Sequence, residues 1–440
     1  MQVKCYLQDY ITSNLNYLNS IFMKKTRKSR SKVPDQIAVS IILICLTMVF
    51  CKGGNNHSAG LLNSGSPHGS GTTSRDGADT IELHWPKYIS LRDYLKPFIQ
   101  ADTIVNEIIL PMENAETTPR ARILFPAKKI LSIKDVYLEK EYYEHKDWEV
   151  RGREIVLTKN SLIPFLHEND LLFKEERVGF SQPAKESSHY VLFSEGALFP
   201  SYQLAVTYIP DRTNSSFPSI LGQKENSLSG TLGKLKRGEP LKIVFYGNSI
   251  EAGGNSSGYL GVKPYMPNWP QLVIYNLRMN YLSEISYKNQ SKGGMMAKWG
   301  MENADERVAN ENPDLVVIAF GMNDGTFSVP VNDFISQIEE IMRIAKVRNP
   351  MCEFLLVTPM LANPMAIQSK MQEDYRQPLW KLANEHVAIA DVTNWHKWLL
   401  DYKSYQDMTG NNINHPNDYL ARWYAHLVSA ILIPGSMKEK

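Results

Sequence analysis

The stretch "IVFYGNSIEAGG", Ile243–Gly254, decides how the second half of the chain reads. Its apolar run begins at Leu241 and ends in Tyr246-Gly247, with no polar alternation after Lys242. A short run that is apolar throughout fits a strand covered on both faces, as in a parallel sheet, better than a half-exposed strand. Asn248 and Ser249 follow at once, then a patch of small residues where the chain must turn. A serine just past such a strand end is either an ordinary turn residue or a nucleophile. In sheets of this type ligands bind outside the carboxyl ends of the strands.

Downstream, the same alternation continues to the end of the chain. "WPQLVIYNLRMNY" (269–281) has helical spacing, and "EISYKN" (284–289) reads as a strand. "MENADERVANENP" (301–313) reads as a helix stopped before Pro313, and "DLVVIAFG" (314–321) as a strand. An amphipathic helix is expected over 332–347, a strand over 353–359, a mostly helical segment over 372–386 and a strand over 387–392. A last helix opens at "HPND", His415–Asp418. Strands alternating with helices imply a parallel sheet with helices on both faces, an α/β domain spanning 238–440.

Upstream the pattern differs. Between 81 and 237 the runs are short and rich in β-branched and aromatic residues, as in "ARILF" (121–125), "REIVLT" (153–158), "HYVLF" (189–193) and "QLAVTYI" (203–209). They predict a β-sandwich of jelly-roll type. The charged stretch at 137–149 reads as solvated strand edges and turns, and "TLGKLKRGEP" (231–240) as the linker between two folded parts.

The bulk numbers narrow the class. Lysine plus arginine number 48 against 46 aspartate plus glutamate, so no basic excess argues for a nucleic-acid partner. Of the four cysteines, Cys5, Cys45 and Cys51 precede the folded parts, leaving Cys352 without an internal disulfide partner. No CxxC or Cys/His cluster stands at zinc spacing, and no metal or other cofactor is expected. Near the N-terminus, "MKKTRKSRSK" (23–32) precedes the apolar "IAVSIILICLTMVF" (37–50), which falls short of the roughly 18 residues of a spanning helix. That layout predicts an export signal over 1–51, with Met23 as the start. Cys51 follows the apolar run as a lipidated cysteine would, although Phe50 is large for the preceding position. The Gly/Ser/Asn-rich 52–80 reads as a flexible tether, so the expected location is periplasmic or cell-surface.

Four short motifs recur in order, each after a strand: "GNSI" at Gly247, "KGG" at Lys292, "GMND" at Gly321 and "HPND" at His415. Together they resemble the SGNH (GDSL-type) hydrolase family, from Leu241 to the end of the chain. The resemblance implies a flavodoxin-like three-layer α/β/α fold and a carboxylic ester hydrolase. Ser249 would be the nucleophile and His415 its base. The oxyanion donors would be the backbone N–H of Ser249, the backbone N–H of Gly294 (or its neighbour Gly293) and the side-chain amide of Asn323. Such a trio is what ester hydrolysis requires: a nucleophile, a base and donors for the developing oxyanion. Trp269 and Trp299 are candidates for the pocket wall or for packing.

Two positions depart from the family. Asn248 stands where the family usually has aspartate, and because that residue organises the loop, a mild effect is expected. The orienting acid normally lies three residues before the histidine, where this chain has Asn412. Asn412 could hold the imidazole as a weaker third member. Asp407 or Asp391 could supply the acid instead, or Ser249 and His415 could act as a dyad with a backbone carbonyl. Asp418 reads as a first-turn helix residue. The expected activity is removal of acyl groups, acetyl foremost, from a carbohydrate. A decayed, glycan-binding domain or a lipase- or thioesterase-type acylhydrolase are the alternatives; no long apolar lid is evident near the motifs.

Overall fold

The computed structural model describes residues 84–115, 117–213, 217–218 and 227–437. The expected export segment, Cys51 and the 52–80 tether lie outside these residues. Trp85–Lys440 forms one compact unit.

The C-terminal half is built on five parallel strands, in the spatial order Ile285–Asn289, Leu241–Gly247, Leu315–Ala319, Glu353–Val357, Val387–Ala390. By chain position this is the order 2-1-3-4-5 of flavodoxin-like sheets, which place the ligand crevice where the winding reverses, beside the first strand. Leu315–Ala319, Glu353–Val357 and Val387–Ala390 are buried at every residue, which is why their sequences show no alternation. Helix Val331–Arg348 turns Phe334, Ile338, Ile341 and Ala345 inward at helical spacing. Helices Trp269–Asn280 and Asp418–Leu432 pack on each other.

The N-terminal part is β-rich. A four-stranded antiparallel sheet runs Ile104–Ile109, Leu204–Pro210, Ala127–Asp135, Glu141–Tyr142. A five-stranded sheet runs Trp148–Arg151, Glu154–Leu157, Thr117–Arg122, Met112–Asn114, Leu166–His167. A small third sheet joins Ser181–Pro183, Tyr190–Leu192 and Leu172–Phe173. Within the stretch expected to be solvated edges, Tyr142 and Trp148 are buried, and the Trp148 indole donates to the Tyr142 carbonyl.

The segment expected as a linker is instead mostly helix, Ser229–Arg237, closed by Gly238 at φ 71°. Its first turn is fixed by the buried Glu353, whose carboxylate accepts from the N–H groups of Gly230 (3.1 Å) and Thr231 (2.7 Å). The carboxylate brought by a distant strand orders a segment that reads as a linker in the sequence. The 301–313 stretch likewise breaks into shorter pieces, Ala297–Glu302, Ala304–Arg307 and Ala309–Glu311.

The two parts share one core. Ile104, Ile108, Val206 and Tyr208 of the β-rich part belong to the same buried cluster as Leu420, Trp423, Tyr424 and Leu427 of the last helix. That helix is therefore buried nearly all round. Its fully buried Arg422 donates to the carbonyls of Val105 (2.7 Å) and Lys96 (3.1 Å) and stacks on Tyr94 and Phe98. Beside it, Lys403 and Glu107 form an ion pair at 2.7 Å, each side chain at 0% exposure. Glu107 also accepts from Leu124 N–H and the Tyr208 hydroxyl, and Lys403 donates to the Arg122 carbonyl. Removing one member of such a pair strands a buried charge. Lys403→Met is expected to cost about 3–5 kcal/mol, and the double variant Lys403→Met/Glu107→Gln less than that. Denaturant unfolding of the three proteins checks this.

Candidate active site

Ser249 opens a short helix, Ser249–Ala252, directly after the first strand. Asn248 caps it: its Oδ1 accepts from Ile250 N–H (3.0 Å) while its Nδ2 donates to the Ala319 carbonyl (3.3 Å). Its neighbours demand one acceptor and one donor, which an amide supplies and an ionised carboxylate cannot. Beneath the turn, Glu251 is fully enclosed and accepts from Asn248 N–H at 2.7 Å. A Cβ at Gly247 would lie 2.3 Å from the Glu251 carboxylate, so only glycine fits there.

His415 comes from the loop before the last helix. Its Nε2 lies 2.8 Å from Ser249 Oγ. The loop is held by its own amides: Asn411 Oδ1 accepts from the N–H groups of Ile413, Asn414 and His415, and the Thr409 hydroxyl donates to the His415 carbonyl. Gly254 passes beneath the imidazole, where a Cβ would sit 3.2 Å from Cε1.

The oxyanion candidates come from the three neighbouring strands at the reversal of winding. The N–H groups of Ser249 and Gly294 have no acceptor among the described residues. Gly294 sits at φ 77°, a left-handed conformation that suits glycine, and a Cβ on Gly293 would meet Ser249 Cβ at 3.8 Å. Asn323, nearly buried, donates from Nδ2 to the Met295 carbonyl (3.0 Å), which ties the third strand's loop to the second's. Asp324 caps both loops, accepting from Ala297 and Gly321; burial, outweighing these bonds, pushes it up to about 6. Trp269 is core, packed on Phe245 and Tyr424, whereas Trp299 lies beside Tyr246 with Lys292 over its ring.

The far nitrogen of His415 meets none of the acids or amides named for it from the sequence. Asn412 is fully buried at φ 66°; its Oδ1 accepts from Asn363 and Gln406, and its Nδ2 donates to the Leu192 carbonyl at 2.8 Å. Asp407 accepts from the N–H groups of Leu110 and Ser404. Asp391 is clamped by Arg376 and Trp380. Each is consumed by a structural role away from the imidazole. Asp418, in the first turn as expected, accepts from Ser257 N–H. Instead, His415 Nδ1 lies 2.6 Å from Asn255 Oδ1, with the Glu195 carboxylate 3.6 Å away. Asn255 stands one residue beyond the opening stretch, in a Gly-Gly-Asn turn at φ 64°. Glu195 belongs to the β-rich part, beyond the reach of any local spacing rule.

Residues 245–423 match the GDSL-like Lipase/Acylhydrolase family. No curated protein matches the sequence. Among solved structures, the chain is similar to a two-domain esterase active on acetylated mannans, at 20% identity and TM-score 0.40, over 50% of this chain and 57% of that one. It is also similar to a catalytic mutant of an acetylxylan esterase from Geobacillus stearothermophilus, at 16% identity and TM-score 0.38, over 46% of this chain and 99% of that one. A family 3 carbohydrate esterase from Talaromyces cellulolyticus matches at 16% identity and TM-score 0.35, over 44% and 96%. The chain thus spans little more than half the length of the mannan esterase.

Burial pushes Glu251 up to about 8, against backbone hydrogen bonds that favour its ionised form. An unfolded glutamate ionises near pH 4.3. Between these values the folded chain holds a proton that the unfolded chain releases, so stability falls as pH rises through that window. Asp324 and Asp418, both near 6, add to the fall at its lower end. Glu251→Gln keeps an acceptor for Asn248 and removes the titration. Its loss of stability between about pH 5 and 8 is expected to be shallower than wild type, as read from denaturant midpoints across pH.

Proposed function

We propose that this chain, whose residues 245–423 form a GDSL-like lipase/acylhydrolase domain, is an exported serine esterase that removes acyl groups, acetyl foremost, from a carbohydrate. The observation that carries the reading is the 2.8 Å approach of Ser249 Oγ to His415 Nε2 within that domain. In the proposed reaction His415 takes the Ser249 proton as the hydroxyl attacks the ester carbonyl. The oxyanion forms against the free N–H groups of Ser249 and Gly294 and the second amide hydrogen of Asn323. His415 then returns the proton to the departing sugar oxygen. Water, activated by the same imidazole, releases acetate from Ser249.

Two features favour a small acyl group on a hydroxyl-rich substrate. Glycines line the nucleophile, with Gly254 under the imidazole and Gly293 against Ser249. The groups around His415 are polar: Asn255, Asn411, Asn414 and Glu195. Export, with Cys51 as a lipid tether, is supported by the basic and apolar stretches that precede it.

Acetate release from acetylated oligosaccharides and from p-nitrophenyl acetate tests the activity. Wild type is expected to turn over and to label with a fluorophosphonate, and Ser249→Ala to do neither. Equal activity of the two proteins removes Ser249 as the nucleophile. Asn323→Ala is expected to lower kcat by about 10²–10³ without loss of fluorophosphonate labelling at long times. A glycan that binds an unlabelled, inactive wild type would identify a binding protein instead.

A further inference from the structure

We infer that Glu195, supplied by the β-rich part of the chain, is the positioning acid of the Ser249–His415 pair, with Asn255 holding the ring between them. The inference rests on the esterase reading above.

The argument starts from what the pair lacks. When His415 takes the serine proton it becomes an imidazolium. Asn255, at 2.6 Å from Nδ1, can accept the ring N–H and fix its tautomer and orientation. An amide cannot offset the new charge. Asn412, at the position where the family carries its acid, is turned the other way and holds the Leu192 carbonyl. Three residues beyond Leu192 stands Glu195.

That segment is secured at several points. Tyr190–Leu192 is the central strand of the small third sheet, and Phe193 N–H donates to the Phe180 carbonyl. Asn412 fixes Leu192 from the histidine loop. Asn411 then reaches out from the same loop, its Nδ2 donating to Glu195 Oε1 at 3.0 Å, while its Oδ1 holds the His415 N–H. The other carboxylate oxygen, Oε2, lies 3.6 Å from His415 Nδ1. One asparagine thus grips the base and the acid together, and the next anchors the strand that carries the acid.

The charge environment is simple. Of the groups against the imidazole, Ser249, Asn255 and Gly254 are neutral. Asp407, on the same loop, is turned to Leu110 and Ser404, and Asp418, in the first turn of the last helix, to Ser257. Lys292, on the loop beside Ser249, lies over Trp299. Glu195 is the charged partner that His415 has among the described residues. Burial opposes its ionisation, but the nearby His415 charge and the Asn411 hydrogen bond hold its carboxyl below the usual glutamate range.

The Glu195 side chain is 54% exposed, so solvent screens the pair. The effect of removing it should fall between the roughly fivefold of an exposed ion pair and the roughly 10⁴ of a buried triad acid, at about tenfold. Glu195→Gln, which keeps the bond to Asn411, is expected to lower kcat by about tenfold with little change in KM. Without the nearby negative charge the imidazolium is less favoured, so the acid limb of the kcat/KM–pH profile is expected to move to lower pH. Asn255→Asp, placed in the Glu195→Gln protein, puts a carboxylate directly on Nδ1 and is expected to restore both kcat and the limb. A merely structural role for Glu195 predicts neither the shift nor the rescue.

Wild-type kcat and an unmoved acid limb in Glu195→Gln would overturn the inference. So would a raised KM with kcat and the limb unchanged, which would make Glu195 a substrate contact. Ser249→Ala is measured alongside. If it stays active, Ser249 is not the nucleophile, and this inference falls with that assignment. If it is dead while Glu195→Gln behaves as wild type, only the role of Glu195 falls.

Discussion

His415 is delivered by a loop that cannot satisfy itself. Between Lys403 and Asn417 the chain is almost wholly buried yet has little regular structure, so its polar groups need partners from elsewhere. The β-rich part provides them. Glu107 takes the Lys403 charge, Leu110 N–H is held by Asp407, the Gln203 amide binds the carbonyls of Gln406 and Thr409, and the Leu192 carbonyl receives Asn412. Each such group left unpartnered would cost about 1–3 kcal/mol, more for the charges. The α/β sheet sets where Ser249 stands. The β-rich part sets where His415 stands. The 2.8 Å approach of the two is a joint product of both, and the two parts share one buried core.

The same constraint accounts for the amides found where the family carries acids. At 248 the Ala319 carbonyl and the Ile250 N–H face the side chain together, and an amide answers both. At 412 the side chain accepts twice and donates once in a fully buried place. A carboxylate there would set a charge against the Leu192 carbonyl with no cation to offset it, an arrangement burial penalises heavily. Asn412 is therefore a peg between the two parts of the chain rather than a weakened triad member.

Much of this was legible in the sequence because the signals are local. The all-apolar strands announce a sheet covered on both faces, and the order of the four motifs places Ser249, Gly294 and Asn323 beyond three successive strands of it. What was not legible is carried by contacts between distant residues. The helix Ser229–Arg237 looks like a linker until Glu353, more than a hundred residues on, receives its first N–H groups. Asn255 was within reach of inspection, but a Gly-Gly-Asn turn reads as a turn until an imidazole lies across it. Nothing about Glu195 marks it out: it is one acid among many, in a half-exposed loop of a part with a different fold.

That distance bears on what a remote carboxylate can do for His415. A triad acid does two things, holding the ring by a hydrogen bond and offsetting the charge that forms. The hydrogen bond demands contact, so its acceptor must come from a rigid element close by, and Asn255, in the turn that follows the Ser249 helix, meets that demand. Charge acts over several ångströms and tolerates imprecise placement. With the two tasks divided, the charge can be borne by a residue on a loop of the β-rich part, provided the two parts are locked together. The fully buried Lys403–Glu107 pair, Arg422 inside the core and the Asn412 peg supply that lock. The β-rich part is therefore more than a neighbour of the α/β domain: it fixes the loop that carries His415 and sets a carboxylate beside the ring.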